Sequence, residues 1–213
     1  MTRFLTIVFC LAFGAAAASA QCGGGGVTGV PDLDQSLVTW GLGAGESATV
    51  FVVPDGTGEP LTAAHRPAGT PVDATIHLVL LDPCDFPIWN FPREDMWLES
   101  GDGGLVPCNG GTVADSQTDP NGHTSWSAPL RAGGHSQSVC RVLVNGMALG
   151  QPLPLHFVSA DINGDRQVNL ADVALFAQAY ASPYGFAADL HPNGVVNLSD
   201  IAVMARSMGA HCP

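Results

Sequence analysis

Twelve residues near the C-terminal end, Asp161-Ile162-Asn163-Gly164-Asp165-Arg166-Gln167-Val168-Asn169-Leu170-Ala171-Asp172, place oxygen-bearing groups at a spacing that wraps a hard cation. Calcium takes roughly six to eight oxygens, and a twelve-residue loop delivers them from positions 1, 3, 5, 7, 9 and 12, with position 7 acting through its carbonyl. Here these are Asp161, Asn163, Asp165, the Gln167 carbonyl, Asn169 through a water, and Asp172. A second copy starts 28 residues later and offers Asp189, His191, Asn193, the Val195 carbonyl, Asn197 and Asp200. Imidazole is a poor calcium ligand, so His191 should make loop 2 the weaker site, with water in place of the missing oxygen. Position 6 needs a sharp turn; loop 2 has Gly194 there, but loop 1 has Arg166, which a left-handed backbone costs roughly 1 kcal/mol.

These loops need elements to hold them. After loop 1, apolar residues recur at helical spacing through Val173, Phe176, Ala177 and Tyr180; after loop 2 they recur at Ile201, Met204, Ala205 and Met208. Two exit helices are predicted, with these stripes turned inward. The position-8 residues, Val168 and Val196, are expected to pair backbone to backbone.

Both loops end in Asp, and both carry Val-Asn-Leu just before it. With duplication and helical exits this pattern resembles a type I dockerin module over residues 159–210. That resemblance implies a secreted, calcium-folded module that binds a cohesin-like protein, commonly within polysaccharide-degrading systems. The positions that face cohesin in that family fall on Leu170, Ala171, Leu198 and Ser199. They are more apolar than the hydroxyl pairs typical of such modules, so either an unusual cohesin or the chain's own β-sandwich is expected to cover Leu170 and Leu198.

The N-terminal 20 residues have the plan of an export signal: Arg3, an apolar run from Phe4 to Phe13, and Ala18-Ser19-Ala20 as a small-residue cleavage site. Residues 21–31 form a glycine-rich mature N-terminus, and no later segment is long and apolar enough to span a bilayer. The net charge of −12 argues against nucleic acid or anionic membrane as partners. Export implies an oxidising compartment. Cys84 and Cys108 flank one loop-and-strand excursion and are the expected disulfide, which leaves one of Cys22, Cys140 and Cys212 unpaired or linked between chains.

Sparse charge and frequent Gly and Pro indicate a mainly β region over 32–158. Strand-like runs lie at Ser36–Trp40, Ala48–Val53, Ala74–Leu81, His123–Ala128, Ser138–Val144 and Leu155–Val158, with weaker ones near Met96–Glu99 and Thr112–Ala114. Turns are marked by Pro54-Asp55-Gly56, Asn109-Gly110-Gly111, Pro120-Asn121-Gly122 and Asn145-Gly146. An antiparallel β-sandwich is predicted. The run Val72–Asp82, the segment Thr118–Trp126 and Ala132-Gly133-Gly134 resemble bacterial Ig-like domains of the invasin and intimin kind, which implies display or adhesion and no catalytic residues.

The β region has no nucleophile elbow, zinc-protease helix or phosphate-cradling glycine motif. Glu94, Asp95, Glu99 and Asp102 are the acids from which a glycosidase pair would be drawn, although a solvated loop edge explains them better. His65, His77, His123, His135 and His156 lack ligand spacing, so only the fold could bring them together on a metal. Trp40, Trp89, Phe91, Trp97 and Trp126 offer a platform for sugars or a core, and Trp89, between Pro87 and Pro92, is the best placed for exposure. The sequence therefore points to a secreted, non-enzymatic calcium-binding attachment protein. The alternative is a carbohydrate-binding accessory protein or small glycoside hydrolase of a polysaccharide-degrading system.

Overall fold

A computed structural model describes residues 29–213; the predicted export signal and the glycine run predicted to begin the mature chain lie outside the described residues. The strands are β1 (Leu37–Trp40), β2 (Ala48–Val52), β3 (Ala64–His65), β4 (Pro71–Val72), β5 (Ile76–Val79), β6 (Met96–Ser100), β7 (Leu105–Pro107), β8 (His123–Trp126), β9 (Ala132–Gly134), β10 (Cys140–Val144), β11 (Met147–Ala148) and β12 (Leu155–Ser159). Two α-helices follow, α1 (Leu170–Tyr180) and α2 (Leu198–Ser207). Among the described residues, no helix is long and apolar enough to cross a membrane.

The strands form four small sheets, ordered β1-β5-β8, β11-β10-β6, β12-β2-β3-β4 and β7-β9. Period-2 alternation sorts their faces. In β5, Ile76 and Leu78 are buried and His77 is exposed; in β8, Thr124 and Trp126 are buried. Ile76, Leu78 and Trp126 join Val50, Leu98, Val142 and Phe157 in one apolar core. Asn145 and Gly146 both take positive φ, 50° and 81°, and close the β10–β11 hairpin as Asn-Gly does in a type I′ turn.

β2 breaks the alternation because both of its faces are covered. Ala48, Val50 and Val52 point into the first core, while Phe51 and Val53 belong to a second cluster with Val158, Ile162, Phe176, Leu190 and Met204. The two exit helices and both loops are thus built onto the outer face of the β12-β2 pair. That pair is parallel, with Leu155 opposite Ala48 and Ser159 opposite Val52, which departs from the predicted all-antiparallel arrangement. The chain between them, residues 53–154, supplies the long crossover that a parallel pair needs, and cover on both faces is its usual setting.

The predicted Cys84–Cys108 disulfide does not form. Cys108 is bonded to Cys212, 104 residues away, Cys84 is disulfide-bonded in a different pair, and Cys140 is buried and free, its thiol pushed up to about 12 by burial. The reason is the return path of the chain after α2. Gly209 N donates to the Val168 carbonyl at 2.9 Å, Val168 N donates to the Ala210 carbonyl at 2.8 Å, and Cys212 N donates to the Arg166 carbonyl at 3.2 Å. Val168 therefore pairs with the C-terminal segment and not with Val196, whose side chain packs at the edge of the second core.

Candidate metal centre

Loop 1 begins where β12 delivers the chain into the interior. Asp161 is fully buried, and its carbonyl accepts from Gly134 N at 2.7 Å on β9. Its side chain is cradled by the loop's own amides: Oδ1 accepts from Asp165 N at 3.0 Å and Oδ2 from Arg166 N at 2.8 Å. Left-handed backbone at Gly164 (φ 70°) and Arg166 (φ 71°) turns the loop around this carboxylate, as position 6 required.

Asp172 closes the loop from the other end. Its Oδ1 accepts from Asn163 N at 3.2 Å, and its Oδ2 accepts from Asn169 N at 2.9 Å. The Asn169 side chain in turn accepts from Ala171 N, completing a capping box at the start of α1. The same residues therefore close the loop and start the helix.

Carboxylate oxygens of Asp161, Asp165 and Asp172 all lie within 4.8 Å of one another. Two oxygens on one calcium at about 2.4 Å can be no more than about 4.8 Å apart, so the three fit a single hard cation. Burial pushes the Asp161 carboxyl up to about 6, against the Arg166 amide and with help from the neighbouring Asp172 and Asp165 charges. A divalent cation at this point would relieve that crowding. Asn163 and Asn169 border the site: their Nδ2 atoms lie 2.9 and 3.4 Å from Asp165 Oδ2. Gln167 lends its carbonyl to the same side, 3.4 Å from Asn169 Nδ2.

Loop 2 repeats the frame with fewer charges. Asp189 accepts from Asn193 N at 3.1 Å and Gly194 N at 2.8 Å; Asp200 accepts from His191 N at 2.8 Å and Asn197 N at 2.7 Å. Asn197 and Asp200 form the capping box of α2, and the Val195 carbonyl lies 3.3 Å from Asn197 Nδ2. Loop 2 has only two carboxylates, Asp189 and Asp200, among its ligand positions. One of them, Asp189 Oδ2, also takes the Tyr184 hydroxyl at 3.1 Å, a donor the sequence did not flag. The His191 ring stands edge-on to His65 of β3, 5.4 Å between centroids. His65 is buried, and Glu59, with Oε2 3.2 Å from its Nε2, raises its pKa.

The four predicted partner-facing residues are all exposed, Leu170 at 77% and Leu198 at 74%. The chain's own β region covers neither leucine, which corrects that alternative; its contact is taken up by Phe176, Val203, Met204 and Leu190 in the second core. The predicted inward stripes are only partly buried. Phe176 and Met204 are inside, while Ile201, Tyr180 and Met208 line an open apolar groove of about 410 Å³ between α1 and α2.

Elsewhere, Trp126 is buried with Nε1 donating to the Thr112 carbonyl at 3.0 Å, Phe91 is buried, and Trp40 packs against the first core. Trp89 is 67% exposed, as its flanking prolines suggested. Of the candidate acids, Glu99 accepts from Trp97 Nε1 at 2.8 Å, and Asp102 accepts from Gly104 N at 2.9 Å and the Ser136 hydroxyl at 2.7 Å.

No protein-family model matches the chain, and no curated protein does. Among solved structures, the filamin domain of Lin-41 is similar at 14% identity, with 59% of this chain and 95% of that chain covered and a TM-score of 0.27, a likeness too slight to bear on fold or function.

Proposed function

We propose that this chain is a secreted, non-enzymatic calcium-binding protein, an Ig-like β-sandwich that attaches to a partner protein through a dockerin-like module. The observation that carries this reading is the convergence of Asp161, Asp165 and Asp172 within 4.8 Å inside a loop whose amides already hold all three carboxylates. A bound calcium would supply the charge that offsets the crowding of these three carboxylates. Asp172 and Asn169 link that site to the first turn of α1, so loop order and the presentation of Leu170 are one event. Leu198 stands at the same position of α2, and the apolar groove between the helices offers a cohesin-like partner further surface.

Calorimetric titration of the chelator-treated protein with calcium tests the metal reading. Loss of the tighter binding step in Asp161→Ala is expected, with loop 2 left as the weaker site, and undiminished heat in that variant would refute it. Calcium-dependent capture by an immobilised cohesin domain, reversed by chelator, tests the attachment. A carbohydrate-binding accessory role is the second reading, favoured by Trp89 and by Phe86, which is 45% exposed in the same loop. Retention on a glycan array that is lost in Trp89→Ala would favour it over protein attachment.

A further inference from the structure

Folding brings together two histidines that stand 46 residues apart in the sequence. Register places His77 of β5 opposite Ser125 and Val79 opposite His123 of β8, so the two imidazoles are diagonal neighbours on the outward face of the β1-β5-β8 sheet. Nδ1 of His77 lies 3.2 Å from Nε2 of His123, with ring centroids 5.3 Å apart and planes tilted by 31°. We propose that His77 and His123 chelate a divalent transition-metal cation of the zinc class across β5 and β8, with water completing its coordination.

The separation suits the chemistry. Two nitrogens bound to one tetrahedral ion at about 2.0–2.1 Å are about 3.3 Å apart, so neither ring has to move far to share a cation. Imidazole nitrogen selects borderline transition metals over calcium, so this site is chemically distinct from the all-oxygen loops. Its surroundings are anionic. Asp119 accepts from the His123 amide through Oδ1 at 2.9 Å, and Asp73 interacts electrostatically with His77. At 3.2 Å the two nitrogens are within hydrogen-bond distance, and a cation between them would take a lone pair from each.

The test uses the full chain with its calcium sites saturated, titrated with zinc chloride by calorimetry in a non-chelating buffer. One zinc is expected per chain at this site, with affinity reduced at least about tenfold in both His77→Gln and His123→Gln and unchanged in the control His135→Gln. Zinc should also raise the melting temperature of the wild type and not of the two variants. Imidazole NMR gives a second readout: the His77 and His123 ring signals should shift together at one equivalent of zinc. Wild-type zinc affinity in the His77→Gln, His123→Gln double variant, or ring signals that stay put while zinc binds elsewhere, would overturn the proposal.

Discussion

Oδ2 of Asp161 stands 1.8 Å from the point a Cβ on Gly133 would occupy, so the carboxylate at position 1 of loop 1 rests against a glycine of β9 that cannot be anything larger without moving it. Gly133→Ala should therefore weaken calcium binding by about tenfold or more and destabilise the fold by about 1–3 kcal/mol, although residue 133 is no ligand. Calorimetry and thermal melting with and without calcium check this, and a wild-type affinity in the variant would show that Asp161 has room to shift.

What the sequence disclosed is what is local. Asp161, Asn163, Asp165, Asn169 and Asp172 fall within one twelve-residue window, and their oxygens, the left-handed Arg166 and the start of α1 follow from spacing alone. Ile76–Val79 and His123–Trp126 were legible as strands because alternation survives over four residues. Pairs such as Ala64–His65 and Pro71–Val72 are too short to show any period. The Cys108–Cys212 bond, the His77–His123 contact and the seat of Asp161 on Gly133 join residues from distant elements, and nothing near either partner announces the other. β2 was legible as a strand but not as a doubly covered one, because Thr49 and Phe51 read like an ordinary outer face until the helices are laid on it.

The two loops should bind unequally. Loop 1 brings three carboxylates together, whereas loop 2 has only two at its ligand positions, and one of those already takes a proton donor from Tyr184. Replacing Asp161 or Asp172 by Ala should lower calcium affinity more than about tenfold, and replacing Asp189 or Asp200 should lower it only a few-fold. Calorimetry on the four variants decides the matter; equal losses would mean that the loops fold and bind as one unit.

Acid should compete with the metal at Asp161. In the calcium-free fold its carboxyl is pushed up to about 6 from an ordinary value of 3.8, with burial as the main cause. Between about pH 4 and pH 6 the folded chain then holds a proton that the unfolded chain has released. Its contribution to stability is full below about pH 4 and is lost as pH rises through about 6. In chelator, the melting temperature should fall over that window. With calcium present the ionised form is favoured, so affinity should instead drop as pH falls below about 6, by up to about tenfold per pH unit for one displaced proton. Melting curves across pH in chelator and in calcium test both signs.

Removing the Cys108–Cys212 disulfide should loosen the C-terminal segment from loop 1. The bond closes a span of 104 residues and anchors the stretch whose Gly209 and Ala210 backbone groups pair with Val168. The Cys108→Ser, Cys212→Ser double variant should lose about 2–5 kcal/mol in a urea melt and also bind calcium more weakly, because loop 1 loses its backbone partner. Unchanged calcium affinity with reduced stability would show that loop 1 is held by its own amides alone.

Leu170 and Leu198 occupy equivalent positions at the starts of α1 and α2, and each is about three-quarters exposed, at 77% and 74%. The inner faces of the helices are already committed: Phe176, Val203 and Met204 fill the second core against β2 and β12. Leucine at these two positions therefore adds nothing to the fold, and Leu170→Asp and Leu198→Asp, singly or together, should leave the melting temperature and calcium affinity within experimental error of wild type. Capture by a cohesin-like partner should respond differently. Because the 28-residue repeat offers the same side chain twice, either copy alone should support binding, and the double variant should abolish it. Loss in only one single variant would mean that one helix start carries the contact, and full capture by the double variant would remove Leu170 and Leu198 from the partner surface.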